Sequence, residues 1–368
     1  MESALTKKEP FIHITKRTDI KQSRAILIRG IAILLGLLVS GIVIMLFTGL
    51  NPIDAFQTML EGSMGSSRKV WTTIQNTAIL LIIALAITPA FKMRFWNLGA
   101  EGQVLIGGLA TAACMIYFGD ILPAPVLIPV MFVAAVISGL IWAAITAFFR
   151  AKWGTNESLF TLMMNYVAMQ LVSFFVVLWE SPQNSGKIGL INPQTEAGWL
   201  PTLFDQKYLL NVLIVVVVLV FVYFYLKYSK HGYEIAVVGE SPKTAHYVGI
   251  DVPKVILRTV ALSGALCGIA GFLLVAGTDH TISMSTAGGQ GFIAVMVSWL
   301  AKFDPLWMIL PSFLLVFLQR GAREIAMTFR LNDSITDIIT GIVIFFIIGS
   351  EFFIHYEIHF RKRKGAKE

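Results

Sequence analysis

The chain has 368 residues, of which 56% are hydrophobic and only 14% charged. A soluble domain of this size needs far more charge to cover its surface, and the apolar residues here gather in runs such as 25–50 and 209–226. Such runs can cross the roughly 30 Å of hydrocarbon in a bilayer. The net charge of +7 collects at the flanks of these runs: Lys7, Lys8, Lys16, Arg17, Lys21 and Arg24 precede the first, and Arg361, Lys362, Arg363 and Lys364 follow the last. Basic flanks mark the cytoplasmic side of a membrane protein and argue against a nucleic-acid partner.

In chain order, spans are expected near 25–49, 71–91, 100–118, 124–149, 157–180, 208–228, 255–277, 288–303, 305–322 and 335–355. This is an all-α, polytopic fold of about ten transmembrane helices. The first run is longer than the core of a cleaved signal peptide and reads as a retained anchor. Cys114 and Cys267 lie inside apolar runs and read as buried thiols. With both termini cytoplasmic, 1–24 is an N-terminal segment, 25–355 the membrane domain and 356–368 a basic tail. Lys92 and Arg94, Arg150 and Lys152, and the lysines around the loop after span 6 agree with that orientation. Arg320, Arg323 and Arg330 fall on the outer side and agree poorly. Two connections stand out: a polar outer loop at 181–207 and a long cytoplasmic loop at 229–254.

One internal match carries weight. Ala100-Glu101-Gly102-Gln103 opens span 3, and Ala287-Gly288-Gly289-Gln290 opens span 8, each after a break in hydrophobicity. Spans 2–5 and 7–10 start on opposite sides, so the copies form an inverted repeat. Non-helical backbone at membrane depth is tolerated where it lines a cavity or is buried in protein. Paired, glycine-interrupted apolar segments in two halves point to a transport site. Asn97, Glu101, Gln103 and Gln290 supply hydrogen bonds suited to a neutral, hydroxyl- or amide-rich solute. Phe95 and Trp96 add aromatic faces, and Gly288 and Gly289 permit close backbone approach. Helix packing around glycine is the other reading of these residues.

Span 5 carries Glu157, Thr161 and Asn165 at i, i+4 and i+8, a polar stripe that lipid would penalise. Cavity lining and interhelical hydrogen bonding both account for it, and Glu157 also suits a helix first turn. No group of His, Cys and acid has metal-ligand spacing, and no cofactor is expected. In the cytoplasmic loop, Ser241, Pro242 and Gly249 frame a helix of about two turns between glycine hinges. A helix that short must pack on the membrane face or on a partner.

These segments, with Phe95 to Gln103, Thr155 to Tyr166, residues 232–250, Leu262 to Gly271 and Gly288 to Phe292, carry a resemblance. The chain resembles the permease subunits of the branched-chain amino acid/simple-sugar class of bacterial ATP-binding-cassette importers, and within them the nucleoside and simple-sugar permeases. The likeness covers most of 30–355. It implies that 229–254 is a coupling loop, with Gly232, Glu234, Gly239, Glu240, Ser241, Pro242, Ala245 and Gly249 presenting a short helix to a cytoplasmic ATPase. It also implies that Phe95, Trp96, Asn97, Glu101, Gln103, Glu157, Asn165, Gly288, Gly289 and Gln290 border the pathway. A second permease (a probable heterodimer), an extracytoplasmic solute-binding lipoprotein and the bacterial plasma membrane complete the implied setting. Ala236 and His246 depart from the basic or small residues common there.

The chain lacks a Gly-x-x-x-x-Gly-Lys-Ser/Thr loop, so ATP hydrolysis is expected on a separate subunit. Nucleosides are the first choice of solute and monosaccharides the second. An ion-coupled secondary transporter would want an acid deep in the membrane, and the candidates here lie near span ends. A membrane enzyme lacks its nucleophile and base.

Overall fold

A computed structural model describes residues 12–17, 22–204, 206–332 and 334–360. Its helices, in chain order, are α1 (Gln22–Thr48), α2 (Pro52–Met64), α3 (Ser67–Lys92), α4 (Ala100–Phe118), α5 (Ala124–Trp153), α6 (Glu157–Leu178) and α7 (Leu209–Tyr228). There follow α8 (Lys230–Glu240), α9 (Pro242–Tyr247), α10 (Val252–Leu274), a π-helical turn (Val275–Asp279), α11 (Gln290–Leu300), α12 (Ile309–Thr328) and α13 (Ser334–His355). The polytopic, helical architecture is as expected. Against the about ten spans expected, eight helices among the described residues are long and apolar enough to cross a membrane. The two that fall short both follow Gly288. Span 288–303 shrinks to the 11-residue α11, and α12 carries Arg320, Arg323 and Glu324 in its second half.

The chain divides into two compact units. The first comprises 1–66 and 317–368. Here α1 runs antiparallel to α13, with Arg29 Nε donating to Glu351 Oε1 at 2.9 Å and Gly36 set against the Val343 backbone. The helix α2, absent from the expected spans, is amphipathic and begins with Asn51 accepting from the Ile53 N–H. It packs on the polar half of α12, where Ser63 Oγ donates to the Phe317 carbonyl at 3.0 Å and Met59 fills the space over Gly321. Strand β1 (Ile12–Lys16) pairs antiparallel with β2 (Tyr356–Phe360), so the two expected terminal segments meet. The basic residues Lys7, Lys8, Lys21 and Arg361 to Lys364 lie outside the described residues.

The second unit is Ser67–Val316. The most apolar stretches of α3 and α10 are each 89% buried, against 28% for α5 and α6, so α3 and α10 are its central helices. Lipid provides no hydrophobic force between helices, so close backbone packing must hold them. The sequence supplies it: a Cβ on Gly268 would lie 2.1 Å from the Ala135 carbonyl oxygen, and one on Gly264 would lie 2.3 Å from that of Gly139. On its other side α10 meets α4, where Gly271 faces the Val104 carbonyl and Gly107 faces Gly268. These glycines bring α4, α5 and α10 to backbone contact, and both breaks hang from that core.

Candidate functional site

After α3, Arg94 takes a left-handed conformation (φ 60°) and the chain crosses from 93 to 99 without helical structure. Side chains replace the missing backbone bonds. Asn97 Oδ1 accepts from the Gly99 N–H at 3.0 Å, and Asn97 exchanges amide hydrogen bonds with Gln103 at 3.3 and 3.4 Å. Its Nδ2 also donates to Ser263 Oγ of α10 at 3.1 Å. Two residues of the stripe on α6 serve the same crossing. Thr161 Oγ1 accepts from the Leu98 N–H at 3.1 Å, and Asn165 both donates to the Leu98 carbonyl and accepts from the Gly102 N–H, each at 2.8 Å. Asn165 thus stands in for a peptide group, satisfying a donor and an acceptor that lipid could not.

The second break begins where α10 widens into the π-helical turn, a form often found at functional positions. His280 follows at φ 52°, and the chain runs through turns to Gly288 (φ 59°) and Gly289 (φ 74°) before α11 starts. Positive φ is the reason for glycine at those last two positions. No side chain of its own segment caps α11. The cap comes from α4: Glu101 Oε1 accepts from the Gly289 N–H at 2.7 Å and Oε2 from the Gly291 N–H at 2.8 Å. The approach is close enough that a Cβ on Gly291 would lie 2.5 Å from the Glu101 nitrogen. The two segments matched by sequence are therefore hydrogen-bonded to each other.

The outer loop singled out in the sequence is tied to this second break. The Ile191 N–H donates to the His280 carbonyl at 2.8 Å and the Leu200 N–H to the Ala276 carbonyl at 2.9 Å. Trp199 stacks on His280 with ring centroids 3.9 Å apart. His280 is buried.

Of the expected pathway residues, Phe95, Asn97, Glu101, Gln103 and Asn165 are buried and brought together at the breaks. Trp96 is exposed, leaning on Phe91 and on Trp299 of α11, each at 5.5 Å. Gly288 is exposed, and Gly289 and Gln290 are half-buried. Glu157 does not join them. It pairs with Arg150 at 3.3 Å beside a cavity of about 150 Å³ that Arg94, Gly239 and Pro242 also line. Asn156 caps α6 there, accepting from the Leu159 N–H. Sequence reasoning missed Ser263 and Trp299. Ser263 was the findable one, a lone hydroxyl in an apolar, glycine-rich run.

At that same end, the 229–254 segment holds two helices rather than one. Ser229 caps α8 and Ser241 caps α9. The end of α9 closes as expected: Gly249 (φ 80°) donates to the His246 carbonyl at 3.1 Å and Ile250 to the Ala245 carbonyl at 2.9 Å. This double bond pattern terminates helices on a left-handed residue. Gly239, the glycine expected as a hinge before α9, packs inside α8 as Gly232 does; a Cβ on Gly239 would lie 2.3 Å from the Lys92 carbonyl oxygen at the end of α3. Glu234 accepts from Arg258 of α10, and Ala245 is fully buried. On and around α9 the exposed residues are Glu240, Pro242 to Thr244 and His246 to Gly249, with Tyr247 90% exposed. Asp251, which caps α10, is held below the usual carboxylate range by hydrogen bonds from the Lys254 side chain and backbone.

Buried side-chain amides bonded to interrupted helices, inside an apolar bundle, are features of a polytopic membrane protein. Residues 71–348 match the family described as branched-chain amino acid transport system / permease component, and the chain belongs to it. It is a multi-pass permease of the ATP-binding-cassette class. It is 28% identical to the nucleoside ABC transporter permease NupB of Lactococcus lactis subsp. cremoris, over 94% of this chain and 96% of that one. It is 28% identical to the guanosine ABC transporter permease NupP of Bacillus subtilis, over 94% and 99%. A glucose ABC transporter permease of Haloferax volcanii, TsgB13, is also 28% identical, over 89% and 88%. The first two organisms each hold a second permease that matches this chain at 27% identity.

Proposed function

We propose that this chain forms half of the translocation pathway of an ATP-driven importer of nucleosides. The observation that carries the reading is the junction of the two breaks, where Glu101 meets Gly289 and Gly291. Around it Trp96, Gly288 and Gln290 are left at least partly open. Irregular backbone and polar side chains at this depth need water or protein beside them, and a solute pathway provides both. Phe95, Asn97, Gln103 and Asn165 act behind the wall, holding its backbone in place. A neutral solute with amide-like ring edges and hydroxyls suits such a surface.

In this reading 25–355 is the membrane domain with its two halves in inverted orientation. The termini and 229–254 face the cytoplasm, and 181–207 faces outward. The exposed surface of α9 docks a separate ATPase, with the residues around Gly239 and Glu234 fastening α8 to α3 and α10. A second related permease completes the pore, in keeping with the paired permeases of the two organisms above. A solute-binding lipoprotein delivers cargo from outside. A monosaccharide is the second reading, favoured by the similarity to TsgB13.

Uptake of a labelled nucleoside, in cells with and without this gene, tests the reading against a competitor panel of purine nucleosides, pyrimidine nucleosides and glucose. Gene-dependent uptake blocked by nucleosides is expected. Uptake blocked by glucose alone establishes the second reading, and uptake sustained in liposomes lacking any ATPase overturns the coupling to ATP.

A further inference from the structure

We propose that Glu101 is a positioning residue that pins α11 to α4, so that the two breaks move as one joint. Among the described residues Glu101 forms no ion pair, and its carboxylate is buried. A buried carboxylate needs compensation, and here it comes from two backbone N–H groups 188 and 190 residues away in the chain. Hydrogen bonds to an ionised acceptor are about twice as strong as neutral ones, and the positive end of the α11 dipole adds to them.

The arrangement serves α11 as much as Glu101. An isolated helix of this length is marginal by itself, and α11 has 11 residues with no local cap. Without the carboxylate, the Gly289 and Gly291 donors would lose their acceptors, the second of them in a buried position. At the other end Glu101 is fixed in turn, because its neighbour Gly102 is held by Asn165, and Asn97 binds both Gln103 and Ser263. The chain of bonds therefore runs α10, crossing 93–99, α4, Glu101, α11. Bonded through both oxygens, Glu101 sets where Gly288 to Gln290 stand. The solute consequence rests on the pathway reading above; the pinning does not.

The test has two arms, both on the complete importer in lipid. In the first, amide hydrogen exchange of the peptide covering 284–295 is compared between wild type and Glu101→Gln. The amide keeps one acceptor and turns an N–H₂ toward the other donor. Exchange is expected to rise about tenfold, as for loss of a hydrogen bond to a charged group, with peptides from α5 unchanged. In the second arm, KM for nucleoside uptake is measured per assembled complex in Glu101→Gln and in Gly291→Ala. The latter leaves the carboxylate intact and displaces the start of α11. Both variants are expected to raise KM by a similar factor. Unchanged exchange in Glu101→Gln overturns the pin whatever the solute proves to be. A KM shift in Glu101→Gln but not in Gly291→Ala overturns it too, because it makes Glu101 a direct solute ligand. Absence of any nucleoside uptake by wild type defeats the function reading alone and leaves the exchange result to decide.

Discussion

The junction of the two breaks and the 229–254 segment both interrupt the apolar spans, yet they are built in opposite ways. At the junction the bonds that tie one element to another are long-range: Asn165 to Gly102 spans 63 residues and Glu101 to Gly289 spans 188. In the 229–254 segment the caps reach only three residues, from Ser229 to Gly232 and from Ser241 to Thr244. The first region exists only when the bundle has assembled, whereas the second is specified where it stands. Damage to the junction should therefore be felt by the whole second unit, and damage to the caps should stay local.

Four substitutions sharpen that contrast, from the largest effect down. Gly268→Ala drives a methyl into the Ala135 carbonyl and should cost about 3 kcal/mol, the upper end for overpacking. Thermal unfolding in detergent should show it, and an unchanged midpoint would mean that α5 and α10 do not depend on this contact. Asn165→Ala strands the Leu98 carbonyl and the Gly102 N–H, a loss of about 2 kcal/mol or more. It should lower the same midpoint while leaving ATPase co-purification intact. Gly249→Ala places a side chain at φ 80°, with a penalty of about 1–2 kcal/mol. Here the expected change is weaker ATPase retention with the midpoint unmoved; a midpoint drop equal to that of Asn165→Ala would erase the distinction between the regions. Ser241→Ala removes one cap bond at about 1 kcal/mol, seen as faster amide exchange confined to α9.

How much of this was legible in the sequence follows the same division. Ser241, Pro242 and Gly249 announced α9 because caps and left-handed glycines act through their own neighbours. The helix α8 went unread because Gly239 looks like a hinge until its close approach to Lys92 is seen. The two breaks were visible as lapses in hydrophobicity with a shared Ala-x-Gly-Gln pattern, and the stripe on α6 was visible as a period. What each polar group bonds to was not, since no local rule pairs Glu101 with Gly291. The stripe residues Thr161 and Asn165 proved to bridge helices at the crossing, which the period alone left open against cavity lining. Two of the spans expected after Gly288 fall on a short helix and a half-polar one, which both look apolar when read in windows.

The measurement that bears most directly on the account is solute protection of a cysteine at Ser285, an exposed residue beside the second break. Cys114 and Cys267 are both buried, so background labelling is low. In the assembled importer, a membrane-impermeant thiol reagent added from outside should modify Ser285→Cys, and a transported nucleoside should slow that reaction. Labelling that no nucleoside or sugar slows, or that occurs only with lipid-soluble reagents, would place the break outside the pathway and contradict the account.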